Sequence, residues 1–316
     1  YIILLSLKIQ NFPRVLRKYY IAGSMNIAIL SRSEHLYSTK SLLKAGRSRG
    51  HDMEVIDPLA CNLTIESGKA VLRYYDGIVN DLDAVIPRIG SSQTATGVSV
   101  VRQFEALQVF STVSSQAILN SRDKWTCFQL LVRQQIPTPK TVIGNFYGDA
   151  EGLLNQFPDG PIIIKLLEGT HGNGVILAEG RKHALTTIET LESLNARFVL
   201  QEFIEESKGA DLRVIVVDGM VVAAMKRQCA KGDFRSNLHR GGTAKSVSLS
   251  KAEEQVAIKT AKTLGLGVCG VDILQSKNGP MVLEVNSTPG LEGIEKTTQK
   301  SVSKSIISYI ERHYKL

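Results

Sequence analysis

The chain has 316 residues, 43% of them hydrophobic, enough to bury a large core in two or three lobes. Half of its formal charge of +8 lies in residues 1–24, which hold Lys8, Arg14, Arg17 and Lys18 and no acid, so bulk charge does not argue for a nucleic-acid surface. Cys61, Cys127, Cys229 and Cys269 are far apart and form no C-x-x-C pair, which excludes a disulfide frame or structural zinc site and fits a reducing cytoplasm.

In chain order, the run Tyr1-Ile-Ile-Leu-Leu5 is too short to span a bilayer. Its basic residues follow the apolar stretch, the reverse of a secretory signal. The expectation is that the fold starts at Met25 and that residues 1–24 are an extension outside it. A basic surface helix is the rival, opposed by Pro13.

Residues 26–118 alternate strand and helix: a strand over 27–30, a helix over 38–49 stopped by Gly50, and a strand over 53–56. A hairpin over 63–75, a strand over 83–90 and a helix over 98–110 follow. This predicts a small parallel-sheet domain without a dinucleotide fingerprint. Residues 121–135 read as one helix ended by Pro137, with Lys124 in its first turn. A cation there opposes the helix dipole, which suits an approaching anion; the plainer alternative is a solvated Lys124 offset by Asp123.

Pro161-Ile-Ile-Ile-Lys165-Leu-Leu-Glu-Gly169-Thr-His-Gly172-Asn-Gly174 reads as a strand running into a glycine-rich loop, with another strand after it. Lys165 shares a strand face with Ile163 and Leu167, a poor place for an ammonium group unless an anion meets it. The glycines let backbone amides fold over phosphates, although no Walker A sequence is present. Residues 198–204 form a strand, and 211–226 a hairpin turning at Asp218-Gly219. The loop 232–242 is polar and cationic, Ser250 and Glu253 make a capping box, and 302–314 is a packing helix.

The stretch from Gly270 to Gly290 reads as a hairpin around Lys277-Asn278-Gly279. Glu284 and Asn286 share a face. An Asn-Gly two-residue turn would set Asp272 opposite Val285, whereas a three-residue loop would set it opposite Glu284. The expectation is the second, which gathers three oxygen donors inside apolar strands. Hard ligands without His or Cys point to Mg²⁺ or Mn²⁺ rather than zinc.

Lysine strand, glycine loop, arginine loop and carboxylate pair stand in the order found in ATP-grasp ligases. Asp233-Phe-Arg235-Ser-Asn237-Leu-His239-Arg240, Gly270-Val-Asp272 and Glu284-Val-Asn286-Ser-Thr-Pro-Gly resemble the RimK family, as does the start at Met25, over essentially residues 25–312. The resemblance implies an α/β fold, α+β in its catalytic part: an N-terminal parallel-sheet domain (25–118) and two lobes gripping ATP (119–200 and 201–316).

It further implies that Lys124 and Lys165 hold ATP phosphates under Gly169, Gly172 and Gly174, and that Glu202 and Phe203 receive adenine. Asp211 would meet the ribose; Arg235, Ser236 and Asn237 would face the reacting end, with Arg235 and Lys165 catalytic. Asp272, Glu284 and Asn286 would bind two Mg²⁺ or Mn²⁺ ions. Arg88, His239 and Arg240 are weaker candidates for substrate carboxylates. The family usually has Thr-Thr-Gly where this chain has Thr297-Thr298-Gln299.

The implied activity is that of a cytoplasmic homo-oligomer, engaging neither membrane nor nucleic acid. It would join L-glutamate to the C-terminus of ribosomal protein six of the small subunit, through an acyl phosphate. The same chemistry on a small-molecule carboxylate, and a non-catalytic ATP-binding regulator, are the alternatives.

Overall fold

The computed structural model describes residues 23–144, 149–167, 174–230, 232–236, 238 and 241–314. All of residues 1–22 therefore lie outside the description, and with them nearly all of the expected extension. The chain divides into two compact units, one made of residues up to Ser115 together with Ser303 onward, the other of Gln116–Val302.

In the first unit, β1 (Asn26–Leu30), β2 (Asp52–Ile56), β6 (Ala84–Pro87) and β7 (Phe110–Ser111) form a parallel sheet in the order β2-β1-β6-β7. Ile27, Ala28, Ile29 and Leu30 are all buried, as a parallel strand covered on both faces requires. Helices α1 (Tyr37–Ser48) and α2 (Thr94–Ala106) connect these strands. A separate antiparallel sheet has the order β3 (Cys61–Glu66), β4 (Lys69–Tyr74), β5 (Gly77–Ile78).

The C-terminal helix also belongs here, not with the lobe expected to run to residue 316. Glu311 near its end accepts from Arg49 Nε at 2.7 Å and is hydrogen-bonded to His51 Nε2 at 2.8 Å. The two partners hold the Glu311 carboxyl below its ordinary value, the Arg49 hydrogen bond outweighing the opposing effect of burial.

The second unit opens with α3 (Ser115–Arg122) and α4 (Lys124–Arg133). Two helices stand where the sequence reads as one. Asp123 separates them: its backbone is extended and its Oδ1 accepts from Thr126 N at 2.7 Å, a side-chain cap that starts a new helix. Lys124 becomes the first residue of that helix.

Strands β8 (Thr141–Ile143), β9 (Ile162–Leu166), β10 (Val175–Ala178) and β11 (Phe198–Glu202) form an antiparallel sheet in the order β10-β9-β11-β8. One face packs against α5 (Ala150–Leu154) and α6 (Arg181–Ser193) through Ile162, Ile164, Leu154, Ile188 and Leu200. Each such side chain contributes about 1.5–3 kcal/mol on burial. Strand alternation then sends Ile163 and Lys165 to the other face.

The last sheet has the order β14 (Thr243–Ser246), β13 (Met220–Gln228), β12 (Ala210–Val217), β15 (Val268–Ser276), β16 (Gly279–Asn286). Asp218 and Gly219 take positive φ at the β12–β13 turn, as a two-residue hairpin of this type demands. The capping box of Ser250 and Glu253 starts α7 (Lys251–Thr263), which packs on β15 and β16. Helix α8 (Glu292–Thr298) packs on β13 and β14, and α9 (Val302–Tyr314) ends the described chain. Among the described residues, no helix is long and apolar enough to cross a membrane.

Candidate functional site

Asp272 on β15 stands directly opposite Glu284 on β16, the pairing the hairpin reading favours. The route to it differs. Ser276 pairs with Gly279, so the loop is the two residues Lys277 and Asn278, not three. The missing residue is supplied by a bulge: Ile273 faces Val282 while Asp272 faces Glu284, and Leu283 is the extra residue between them. Asn286, two residues on, pairs with Gly270. A Cβ on Gly270 would lie 3.0 Å from Pro289 Cβ and 3.4 Å from Arg213 Cδ, so glycine keeps this part of the face open.

The same face carries two arginines that the motif reading passes over. Arg213 on β12 is opposite Asp272, and Arg227 on β13 is opposite Asp211. Arg213 donates through Nε to Asp272 Oδ1 and through Nη2 to Oδ2 at 2.6 Å. Arg227 bridges the two acids, donating to Asp211 Oδ1 at 2.7 Å and to Asp272 Oδ2 at 2.9 Å. Burial alone would raise the Asp272 pKa, but the two guanidinium groups outweigh it and hold the carboxyl below its ordinary value. Alternation marks the missed pair, since Asp211 and Arg213 are two apart in an otherwise apolar strand.

Asp211, expected at a ribose, is buried, and Ser236 Oγ also donates to it at 2.6 Å. Both residues are thus turned into the ion-pair network rather than out to an open edge. Arg235 lies over the Phe234 ring and pairs with Asp233, whose carboxyl it lowers to about 2, chiefly through the side-chain hydrogen bond.

Lys124 Nζ donates to Leu167 O at 2.9 Å, tying the start of α4 to the end of β9. Burial lowers its pKa against the charges of Glu284 and Asp123. Lys165 makes no hydrogen bond or ion pair among the described residues, and burial lowers its pKa to about 8. Glu284 and Asp272 raise it in part, and Lys124 lowers it further. The two lysines and two carboxylates therefore act on one another, although their sequence positions span 124 to 284.

Gly174 opens β10 at φ +77°, where an added Cβ would lie 2.8 Å from Leu166 Cδ1, so no other residue fits without displacement. Glu202 closes β11, its amide donating to Lys140 O at 2.9 Å and its Oε2 accepting from Lys140 N at 3.2 Å; half-buried Phe203 follows. Arg88 belongs to the first unit, where its amide donates to Leu30 O. Gly169, Gly172, Asn237, His239 and Arg240 lie outside the described residues.

The donor set suits a hard divalent cation. Asp272 accepts three donors out of roughly four lone-pair positions, leaving one oxygen direction for an ion. Glu284 is exposed beside it, and the Asn286 amide nitrogen is buried without a hydrogen-bond partner. An amide with an idle polar end next to two carboxylates is what an oxygen-ligated ion would satisfy. Among the described residues no three His, Cys, Asp or Glu side chains cluster, so the amide is needed to complete the set.

The comparisons with known proteins agree with this architecture. Residues 25–118 match the RimK PreATP-grasp domain and residues 121–310 the RimK-like ATP-grasp domain. A protein of Vibrio atlanticus named probable alpha-L-glutamate ligase is 53% identical over 291 residues, covering 92% of this chain and 97% of that one. Its namesake in Halorhodospira halophila is 50% identical, covering 92% and 96%.

Among solved structures, the ATP-grasp ligase PsnB complexed with minimal precursor, Mg and ADP matches at TM-score 0.71 and 19% identity, covering 92% of this chain and 98% of that one. A RimK domain ATP-grasp protein of Sphaerobacter thermophilus matches at TM-score 0.66 and 18% identity, covering 90% and 99%. These two show the fold. With the pair of domain matches and half-identical relatives along nearly the whole chain, this protein belongs to the RimK family of ATP-grasp ligases.

Proposed function

We propose that this ligase uses ATP to add glutamate to the C-terminal carboxylate of ribosomal protein six of the small subunit. The observation that carries the reading is the mutual electrostatic influence of Lys124, Lys165, Asp272 and Glu284, two cations for phosphates beside two oxygen ligands for divalent ions. Glutamate is the substrate named in the curated relatives.

A carboxylate is a poor electrophile, so an acceptor oxygen first takes the γ-phosphoryl group and ADP leaves. The glutamate amine then attacks the carbonyl carbon of the acyl phosphate, phosphate departs with the bonding pair, and the amine loses a proton. Such transfers need positioning and charge neutralisation rather than a covalent protein nucleophile. Lys124 and Lys165 hold the phosphates, with Gly169, Gly172 and Gly174 folding over them, and Glu202 and Phe203 border the adenine. Arg235 neutralises charge on the transferring group. Asp272, Glu284 and Asn286 hold two Mg²⁺ or Mn²⁺ ions, which supply positive charge to the phosphate oxygens. Arg213 and Arg227 fix the orientation of Asp272.

The test is incubation with ATP, Mg²⁺ and labelled glutamate, offering the ribosomal protein or small carboxylates, followed by mass spectrometry. Increments of one glutamyl residue on the ribosomal protein support the reading. Label found only on a small carboxylate refutes the acceptor and keeps the chemistry; ADP release indifferent to glutamate refutes the chemistry.

A further inference from the structure

The three-stranded sheet of the first unit ends in an open edge, because the order β3-β4-β5 gives β3 a single neighbour. One hydrogen bond fixes which backbone groups line that edge. Leu72 O accepts from Val79 N at 2.9 Å, so the polar backbone of Leu72 points toward β5. Leu63 stands opposite Leu72, and opposed residues of an antiparallel pair point their backbone groups both inward or both outward. Those of Leu63, and of Ile65 two residues on, therefore face away from β4. Gln103 gives the complementary sign: its Nε2 reaches both Thr64 O and Val71 O, the pair whose carbonyls lie between the strands.

No hydrogen bond to the backbone of Leu63 or Ile65 from beyond the sheet occurs among the described residues. Their side chains are 38% and 81% exposed. Natural edges are commonly guarded by Lys, Pro or a bulge. The strand Cys61–Glu66 contains neither residue, pairs with β4 without a register shift, and carries one charge, Glu66.

We propose that β3 is a homotypic interface, pairing antiparallel with β3 of a second copy of this chain about a two-fold axis through Thr64. A two-fold axis normal to the sheet keeps each residue on its own face. Leu63 of one copy then meets Ile65 of the other, twice, and each pair exchanges two backbone hydrogen bonds. The apolar face that runs through Leu72 and Leu63 continues across the axis. Glu66 falls opposite Asn62, an amide that can donate to it, so no like charges oppose. A chain that completes its edge with itself needs this self-complementary arrangement, and the exposed Ile65 gains cover that its own copy does not provide.

Sedimentation equilibrium of the full chain tests it. The expected result is twice the chain mass, lost in Ile65→Lys, a change at an exposed position that leaves the circular dichroism unchanged. Thr64→Cys in a Cys61→Ser background should link two copies on mild oxidation, because residues facing each other at such an axis have Cα atoms about 4.5 Å apart, within disulfide reach. Asn62→Cys in the same background should not. A monomer at every concentration, a dimer that survives Ile65→Lys, or a link at position 62 in place of 64 overturns the proposal.

Discussion

Arg213 and Asp272 face each other across β12 and β15, and both oxygens of the carboxylate accept from the one guanidinium group. A bidentate pair of this kind fixes the plane of the carboxylate as well as its position. Asp272 thus has its orientation set by the sheet before any ion arrives.

Arg227 holds Asp211 and Asp272 together from within the buried face. Arg227→Met should therefore cost about 3–5 kcal/mol, because two buried carboxylates lose a partner at once. Urea denaturation of the variant checks this. A loss below about 1 kcal/mol would mean that water replaces the guanidinium.

Glu284 is exposed, unlike the buried Asp272. Glu284→Gln keeps the shape and should leave folding stability within about 0.5 kcal/mol. Turnover, read as glutamate-dependent ADP release at saturating Mg²⁺, should fall on the order of 100-fold, as expected for removal of one charge-stabilising contact.

Burial sets the Lys165 pKa at about 8 in the free protein. Its unfolded value is near 10.4, so between about pH 8 and 10.4 the unfolded chain binds more protons and stability rises with pH. Phosphate binding acts in the opposite sense, since only the ammonium form attracts it. Nucleotide binding near pH 8 should therefore take up protons, measured by calorimetry in two buffers of different ionisation enthalpy. Lys165→Arg, charged throughout, should abolish that uptake.

Gln299 follows α8 in the left-handed region at φ +56°, where a side chain is disfavoured and glycine is not. Its Nε2 recovers part of the cost by donating to Lys296 O at 2.7 Å. Gln299→Gly should stabilise the fold by about 0.5 kcal/mol, the relief of the backbone exceeding the lost hydrogen bond. A thermal melt shifted upward checks it.

Much of the site is legible in the sequence because its parts are local. The lysine on an apolar strand, the Glu284–Asn286 alternation and the capping box at Ser250 each follow from spacing over a few residues. The approach of Lys165 to Glu284 is not local, and it rests on the resemblance. The register of β15 and β16 is half legible: parity puts Asp272 and Glu284 on one face, but it cannot distinguish a longer turn from a bulge at Leu283. The arginine network escapes because Arg213 and Arg227 meet their acids across strands, in no contiguous motif. The docking of α9 escapes for the same reason, since Glu311 finds Arg49 and His51 about 260 residues away.

Where the bulge sits decides how this ribbon can be engineered. Because the extra residue is absorbed inside β16, splicing a tag between Lys277 and Asn278 would leave the ligand-bearing half in step. Excising Leu283 alone would instead invert what lies on one side of it: either the tip of the ribbon turns inside out, or Glu284 is driven into the packed layer against α7 while Val285 surfaces among the cations.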